Sequence, residues 1–422
     1  MNLNLYFVVT FTFLLTNSFA DLVPELADEH RTPCQLIESR NFICDEQSII
    51  TDDGYILTVH HIINPVYKAN NKSTIRPVVI AHCLFGASPV WLINSENGFA
   101  ADWSNGTDFL DLDTEGRNLP YLLSNLGYDV WMTNSRGNQF ARNHTSLNPD
   151  TDKAFWQFSF DEMITYDTPA IIDYVLEKTG YENLAWIGHS QGAMQLFGLL
   201  SEKPEYSAKV KPFISLAPVT HMAHITSPVR LIAKVPFLQK IAKLLGGELR
   251  LPTTLIDLFA DKICEEKLVK EMCASIFYLF GGHSEQFNTT RLPVYIAQGF
   301  WASSWWNLVH YGQAINNDRF AKFDFGWIEN YQRYGSLKPA EYKMSAINSQ
   351  DIFILSAVND PLANRQDMET LRKSLQVPFI ELTIDDPNFT HLDFMWAENV
   401  YQKAYKPVTE FLRKYDSYKT TT

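Results

Sequence analysis

Three residues stand in chain order in settings suited to nucleophilic acyl transfer: Ser190, Asp360 and His391. The pentapeptide Gly188-His189-Ser190-Gln191-Gly192 follows the apolar run Leu184–Ile187 and opens a helical pattern. A strand, a sharp turn and a helix in that order lift a serine clear of a sheet, and glycines two residues to either side leave room for the turn. Because a serine hydroxyl is a weak nucleophile near neutral pH, it needs a histidine within hydrogen-bond reach and an acid to orient that histidine. Asp360 closes the run Ile352–Ala357 in Ala357-Val358-Asn359-Asp360-Pro361, and His391 follows the next run in Phe389-Thr390-His391-Leu392-Asp393-Phe394. Asp385 and Asp386 precede the histidine on a turn, and Asp393 reads as a local cap or pair. His60, His61, His189, His221, His224, His283 and His310 read as structural or solvated.

A tetrahedral intermediate also needs about two backbone N–H donors, each worth roughly 3 kcal/mol. Gln191, directly after the serine, is one candidate. Leu84 is the other, in the segment His82-Cys83-Leu84-Phe85-Gly86 that follows the run Pro77–Ala81. The cysteines number five, without metal-site spacing. Cys34 and Cys44 lie close in sequence, as do Cys264 and Cys273, so two local disulfides are expected with Cys83 as the odd thiol.

These residues must be carried by a scaffold, and its rhythm is legible. Short β-branched runs at Pro77–Ala81, Asp129–Thr133, Leu184–Ile187, Phe213–Leu216, Ile352–Ala357 and Phe379–Thr383 alternate with helical patterns. The patterns are Asp161–Lys178, interrupted at Pro169 and stopped by Gly180, then Gly192–Glu202 and Arg365–Leu375, with Ser159 to Glu162 as a capping box. That alternation predicts an α/β fold with a mostly parallel central sheet and helices on both faces. From about Thr220 to Lys343 the rhythm stops, and helical stretches at Val229–Leu245, Thr254–Leu279 and Ser303–Ala314 predict an inserted helical cap, in which Trp301, Trp305 and Trp306 read first as packing residues.

At 422 residues, 46% hydrophobic and 20% charged, the chain has ample material for a large core. A formal net charge of −13 argues against nucleic acid, which requires a basic footprint. Residues 1–20 carry no charge and combine an apolar run from Leu5 to Leu15 with Ser18-Phe19-Ala20, which predicts a signal peptide cleaved after Ala20. No later run is long enough to span a bilayer. Asn71, Asn105, Asn143, Asn288 and Asn388 each begin a glycosylation sequon.

The chain resembles the acid lipases, the family of gastric and lysosomal lipases and many insect digestive relatives. The resemblance rests on Thr51 to Leu57, Gly127 to Trp131, Asn134 to Asn138, Phe158 to Met163, Tyr166-Asp167, Gly188 to Gly192, His310-Tyr311-Gly312-Gln313 and His391 to Phe394. It implies an α/β-hydrolase core at 21–219 and 346–422 around a cap at 220–345. It further implies hydrolysis of triacylglycerols or sterol esters at a lipid–water interface, with no metal or organic cofactor. By matching motifs it assigns Ser190, Asp360 and His391 as the triad and Gln191 and Leu84 as oxyanion donors. Cys264 and Cys273 match the family's cap disulfide, placing a mobile lid near 251–281. Two departures stand out. The family's His-Gly-Leu reads His82-Cys83-Leu84 here, and its Gly-Tyr-Pro reads Asn41-Phe42-Ile43, followed by Cys44. A glycine-only backbone conformation at Cys83 would weaken the oxyanion loop. A monomer that is secreted or lysosomal is expected. The competing expectations are a carboxylesterase for soluble short-chain esters and a lipid-binding protein that has lost turnover.

Overall fold

In the computed structural model, described over residues 26–104, 111–235, 238–250, 274–275, 277–299 and 302–419, eight strands form one sheet in the order β1-β2-β4-β3-β5-β6-β9-β10. In chain order these are β1 Ile43–Ile50, β2 Ile56–Ile63, β3 Pro77–Ala81, β4 Asp129–Met132, β5 Leu184–His189, β6 Val210–Leu216, β9 Ile352–Ala357 and β10 Phe379–Ile384; a two-residue ribbon, β7 Glu248–Leu249 with β8 Ser303–Ser304, lies apart. From β4 to β10 every pairing is parallel, as expected of runs that are apolar on both faces. Every residue of β3, β5 and β9 is buried.

The first two strands were not among the predicted ones. They pair antiparallel to each other, and β2 pairs antiparallel to β4. In β1 the exposed and half-buried positions dominate, so its alternation is that of a solvated edge and lacks the apolar run that marks the central strands.

The predicted helix over Asp161–Lys178 is real but broken earlier than its proline suggests. A short helix Phe160–Glu162 passes into a π-turn, Met163–Asp167, and then into a helix Thr168–Thr179 ended by Gly180 at φ 72°. Pro169 has no N–H to give to the preceding turn, and the wider turn absorbs that mismatch while Thr168 Oγ1 donates to Met163 O at 2.9 Å. The predicted capping box is present, with Ser159 N donating to Glu162 Oε2 at 2.7 Å.

Between β6 and β9 the chain leaves the sheet and forms mainly helices, including a 3-10 turn Pro228–Lys234 and helices Leu238–Leu245, Leu292–Gly299, Trp305–Asn317 and Trp327–Tyr334. The single helix predicted over Val229–Leu245 is thus divided. Residues 251–273, holding Cys264, Cys273 and most of the expected lid, lie outside the described residues, as do the leader, Asn105 and Trp301.

Cys34 and Cys44 are joined as a disulfide, and Cys83 is a buried free thiol. Asn71 and Asn143 are exposed and Asn388 is half-buried, but Asn288 departs from its sequon reading. The residue is 2% exposed, and its side chain donates to Asn94 O and Oδ1 at 2.9 and 3.2 Å. A glycan there would have to displace those bonds and the packing around them.

Candidate active site

The elbow is assembled by close backbone approach. A side chain at Gly188 would put its Cβ 2.4 Å from Gly192 O, and one at Gly192 would lie 2.6 Å from Ala81 O, so neither position admits a larger residue without moving backbone. Ser190 sits between them at φ 55°, ψ −113°, a strained conformation for a residue with a Cβ. Its N–H is tied to Leu216 O at 2.9 Å, at the end of β6. The helix Gln191–Glu202 begins immediately after it.

Asp360 lies just beyond β9 and is 3% exposed. One carboxylate oxygen accepts the N–H groups of Leu362 and Ala363, both at 2.8 Å, and the other meets His391 Nδ1 at 2.7 Å. A carboxylate can only accept, so His391 carries its proton on Nδ1 and presents a lone pair at Nε2. That Nε2 is buried and has no hydrogen-bond partner. The histidine loop is seated on the elbow: His189 Nε2 is 3.0 Å from His391 O, and the two rings are 4.7 Å apart. Burial, with a smaller contribution from His391, holds His189 well below the ordinary histidine range, so it packs as a neutral ring.

The rival groups have other occupations. Asp393 Oδ2 accepts Thr390 N and Oγ1 at 2.6 and 3.1 Å, and burial pushes its pKa up to about 6. Asp386 pairs with Lys403 at 2.9 Å, and Asp385 is exposed. His60 bonds Ser88, His61 stacks on Trp131, His224 pairs with Asp367 and His310 bridges Ser159 Oγ and Ala321 O.

Two peptide planes are fixed at the candidate oxyanion donors. Cys83 O accepts His82 Nδ1 at 2.8 Å and Gly86 N at 3.0 Å, while His82 Nε2 accepts Ser135 N at 3.0 Å. In a planar trans peptide the N–H points opposite the C=O, so these bonds aim the Leu84 N–H away from them. Ser190 O likewise accepts Ala193 N and Met194 N at 3.2 and 3.0 Å, which directs the Gln191 N–H outward. The positive φ in this loop belongs to Phe85, at 57°, and not to Cys83. Cysteine therefore occupies the family's glycine position without left-handed strain. Burial pushes the Cys83 thiol up to about 12, so it is an inert packing group at neutral pH.

Sequence reasoning missed the residues that hold Gln191. Its Oε1 accepts Asn307 Nδ2 at 3.1 Å and Tyr311 OH at 3.0 Å, both from the inserted helix Trp305–Asn317. The motif His310 to Gln313 carried the signal, because two of its members, His310 on Ser159 and Tyr311 on Gln191, clamp the insertion to the core. Tyr311→Phe should lower kcat roughly three- to tenfold, the cost of one buried hydrogen bond, with KM little changed. Steady-state kinetics on a soluble ester would decide this; a raised KM at constant kcat would place Tyr311 in substrate binding instead.

Among the described residues two groups have metal-ligand types in proximity, Cys34, Glu46 and His60, and His224, Asp318 and Asp367. Neither contains Ser190, Asp360 or His391, and Cys34 is committed to its disulfide.

Residues 76–242 match the model of the alpha/beta hydrolase fold, and residues 34–95 match a partial alpha/beta-hydrolase lipase region. The chain is 34% identical to gastric triacylglycerol lipase of Bos taurus over 383 residues, covering 90% of each. It is 34% identical to lysosomal acid lipase/cholesteryl ester hydrolase of Rattus norvegicus over 373 residues, covering 88% of each, and 31% identical to that of Homo sapiens over 388 residues, covering 90% of each. A crystal structure from Sulfolobus solfataricus shares the fold at TM-score 0.52 and 12% identity, covering 85% of this chain and 90% of that one.

Proposed function

This chain belongs to the α/β-hydrolase family of gastric and lysosomal acid lipases, and from that premise we propose that Ser190, His391 and Asp360 hydrolyse neutral-lipid esters, triacylglycerols or sterol esters, through an acyl-enzyme. The observation that carries the reading is the buried Asp360–His391 pair, 2.7 Å apart, whose unpartnered Nε2 belongs to a loop seated on the strained Ser190 elbow.

Ser190 Oγ attacks the ester carbonyl while His391 Nε2 takes its proton, and the charge on the carbonyl oxygen falls to the N–H groups of Gln191 and Leu84. His391 returns the proton to the leaving alcohol, leaving the acyl group on Ser190. Water then attacks, losing its proton to the same nitrogen, and the fatty acid departs as the serine is re-protonated. Asp360 holds the imidazole in orientation and stabilises its cationic form.

Ser190 is 5% and His391 2% exposed, so admitting an ester requires part of the covering structure to move. We assign that movement to the cap at 220–345, and expect lipid interfaces to change both its proteolytic cleavage and the activity. No helix among the described residues is long and apolar enough to cross a membrane. The Cys34–Cys44 disulfide and the exposed sequons support a secreted or lysosomal location.

A fluorophosphonate forms a stable adduct with an activated serine by losing fluoride. Incubation with one should add a single phosphonyl group, mapped by peptide mass spectrometry to Ser190 and abolished by His391→Ala. Labelling elsewhere, or none on folded protein, would contradict the assignment.

A further inference from the structure

On the inserted helix Trp327–Tyr334, large apolar side chains face water. Trp327 is 67% exposed, Ile328 56% and Tyr331 63%, with Leu337 at 60% just beyond. Positions i, i+1 and i+4 share an arc of roughly 100°, so the three helical residues form one face. The presentation is fixed. Asn330, 1% exposed on the inner side, accepts Phe325 N at 2.9 Å and donates to Asp324 Oδ1 at 2.7 Å and Leu337 O at 3.1 Å. Tyr334 OH donates to Phe323 O at 3.0 Å. Isolated exposed apolar residues are ordinary, but four in eleven positions, held out by a buried polar clamp, mark a contact surface.

We propose that this face docks the protein onto the uncharged surface of a lipid emulsion. The proposal rests on the neutral-lipid esterase reading, whose substrate forms a separate phase. Two observations favour lipid over a second protein. Tryptophan and tyrosine combine an apolar body with a polar N–H or O–H and therefore settle at the lipid–water boundary, with isoleucine and leucine supplying buried area. The three helical positions also bear no charge, and Lys338 beside Leu337 lies at their margin: the adjacent Glu329 and Arg333 are paired with each other at 2.9 Å, and the Arg333 guanidinium lies 4.1 Å from the Phe325 ring centre. A chain of net charge −13 gains nothing from an anionic surface, so adsorption should be driven by apolar contact and be insensitive to salt.

Flotation with triolein emulsions coated in phosphatidylcholine tests this, using full-length protein in a Ser190→Ala background so that the emulsion stays intact. The triple variant Trp327→Ser, Ile328→Ser, Tyr331→Ser should bind at least about tenfold more weakly at both low and high salt, and Trp327→Ser alone should bind with intermediate strength. With Ser190 restored, the triple variant should show a raised apparent KM on emulsified triolein, while turnover of a dissolved short-chain ester reports that it is folded. Undiminished emulsion binding by the triple variant would overturn the proposal, and so would loss of a wild-type dimer, seen in sedimentation, without change in lipid binding. Either result would leave the esterase reading standing. Failure of the Ser190 enzyme on every ester, with face-dependent emulsion binding intact, would instead overturn the esterase reading alone.

Discussion

Asp360→Asn should lower kcat on a dissolved short-chain ester about ten-thousandfold while leaving KM and the fold nearly intact. The reason lies in proton bookkeeping at one nitrogen. Asp360 accepts from His391 Nδ1 at 2.7 Å, and its second oxygen accepts the N–H groups of Leu362 and Ala363. In the variant those two backbone donors retain the amide oxygen, so the amide nitrogen must face His391 and donate. Nδ1 then has to accept, the ring proton moves to Nε2, and the nitrogen that should take the serine proton already holds one. The imidazolium that forms in acylation also loses its adjacent negative charge. Measurement of kcat across a pH series, on protein whose melting temperature matches wild type, checks this. A loss below about tenfold would mean that another acid orients His391, and Asp393, fully buried two residues further along the chain, would be the first to test.

The second large effect concerns stability. Arg136 is 1% exposed and pairs with two carboxylates: Nη1 and Nη2 donate to Asp53 at 2.6 and 2.9 Å, and Nε donates to Asp167 at 2.8 Å. Its guanidinium also lies 4.0 Å from the centre of the Tyr55 ring. Burial alone would raise the Asp53 carboxyl, but the guanidinium outweighs it and holds Asp53 below the ordinary range. Arg136→Met keeps much of the volume and strands both acids, so it should cost about 3–5 kcal/mol, the range for removing one partner of a buried ion pair. Arg142→Ala, which breaks pairs with the exposed Asp150 and the half-buried Glu248, should shift the unfolding midpoint far less. Urea unfolding of the two variants separates these values, and similar costs for both would remove Arg136 from its proposed role as a keystone of the core.

The same residue shows what was legible from sequence. Thr51 to Leu57, Asn134 to Asn138 and Tyr166-Asp167 looked like separate family motifs, yet Asp53, Arg136 and Asp167 meet in one ion cluster whose geometry no spacing announces. The central strands were readable because they are buried on both faces and therefore continuously apolar. The edge strand β1 was not, since Asp45 to Ser48 put four polar residues in a row at its centre. At the site, chain order and local context singled out Ser190, Asp360 and His391, because each lies in the segment that follows a readable strand. Asn307 and Tyr311 could not be assigned a partner before folding, since Gln191 lies more than a hundred residues away from both. Asn288 shows the converse, a three-residue sequon whose asparagine the fold buries in a way no local pattern announces. The concern over Cys83 likewise dissolved only in three dimensions, where Phe85 takes the left-handed turn.

Release of fatty acid from emulsified triolein and from a cholesteryl ester, followed from pH 4 to 8 for the wild-type protein and its Ser190→Ala variant, tests the central claim most directly. The wild type should release fatty acid from at least one substrate, and in the variant release should fall about a millionfold, to background. Equal release by the two proteins, or none by a folded wild type that still binds the lipid, would contradict it.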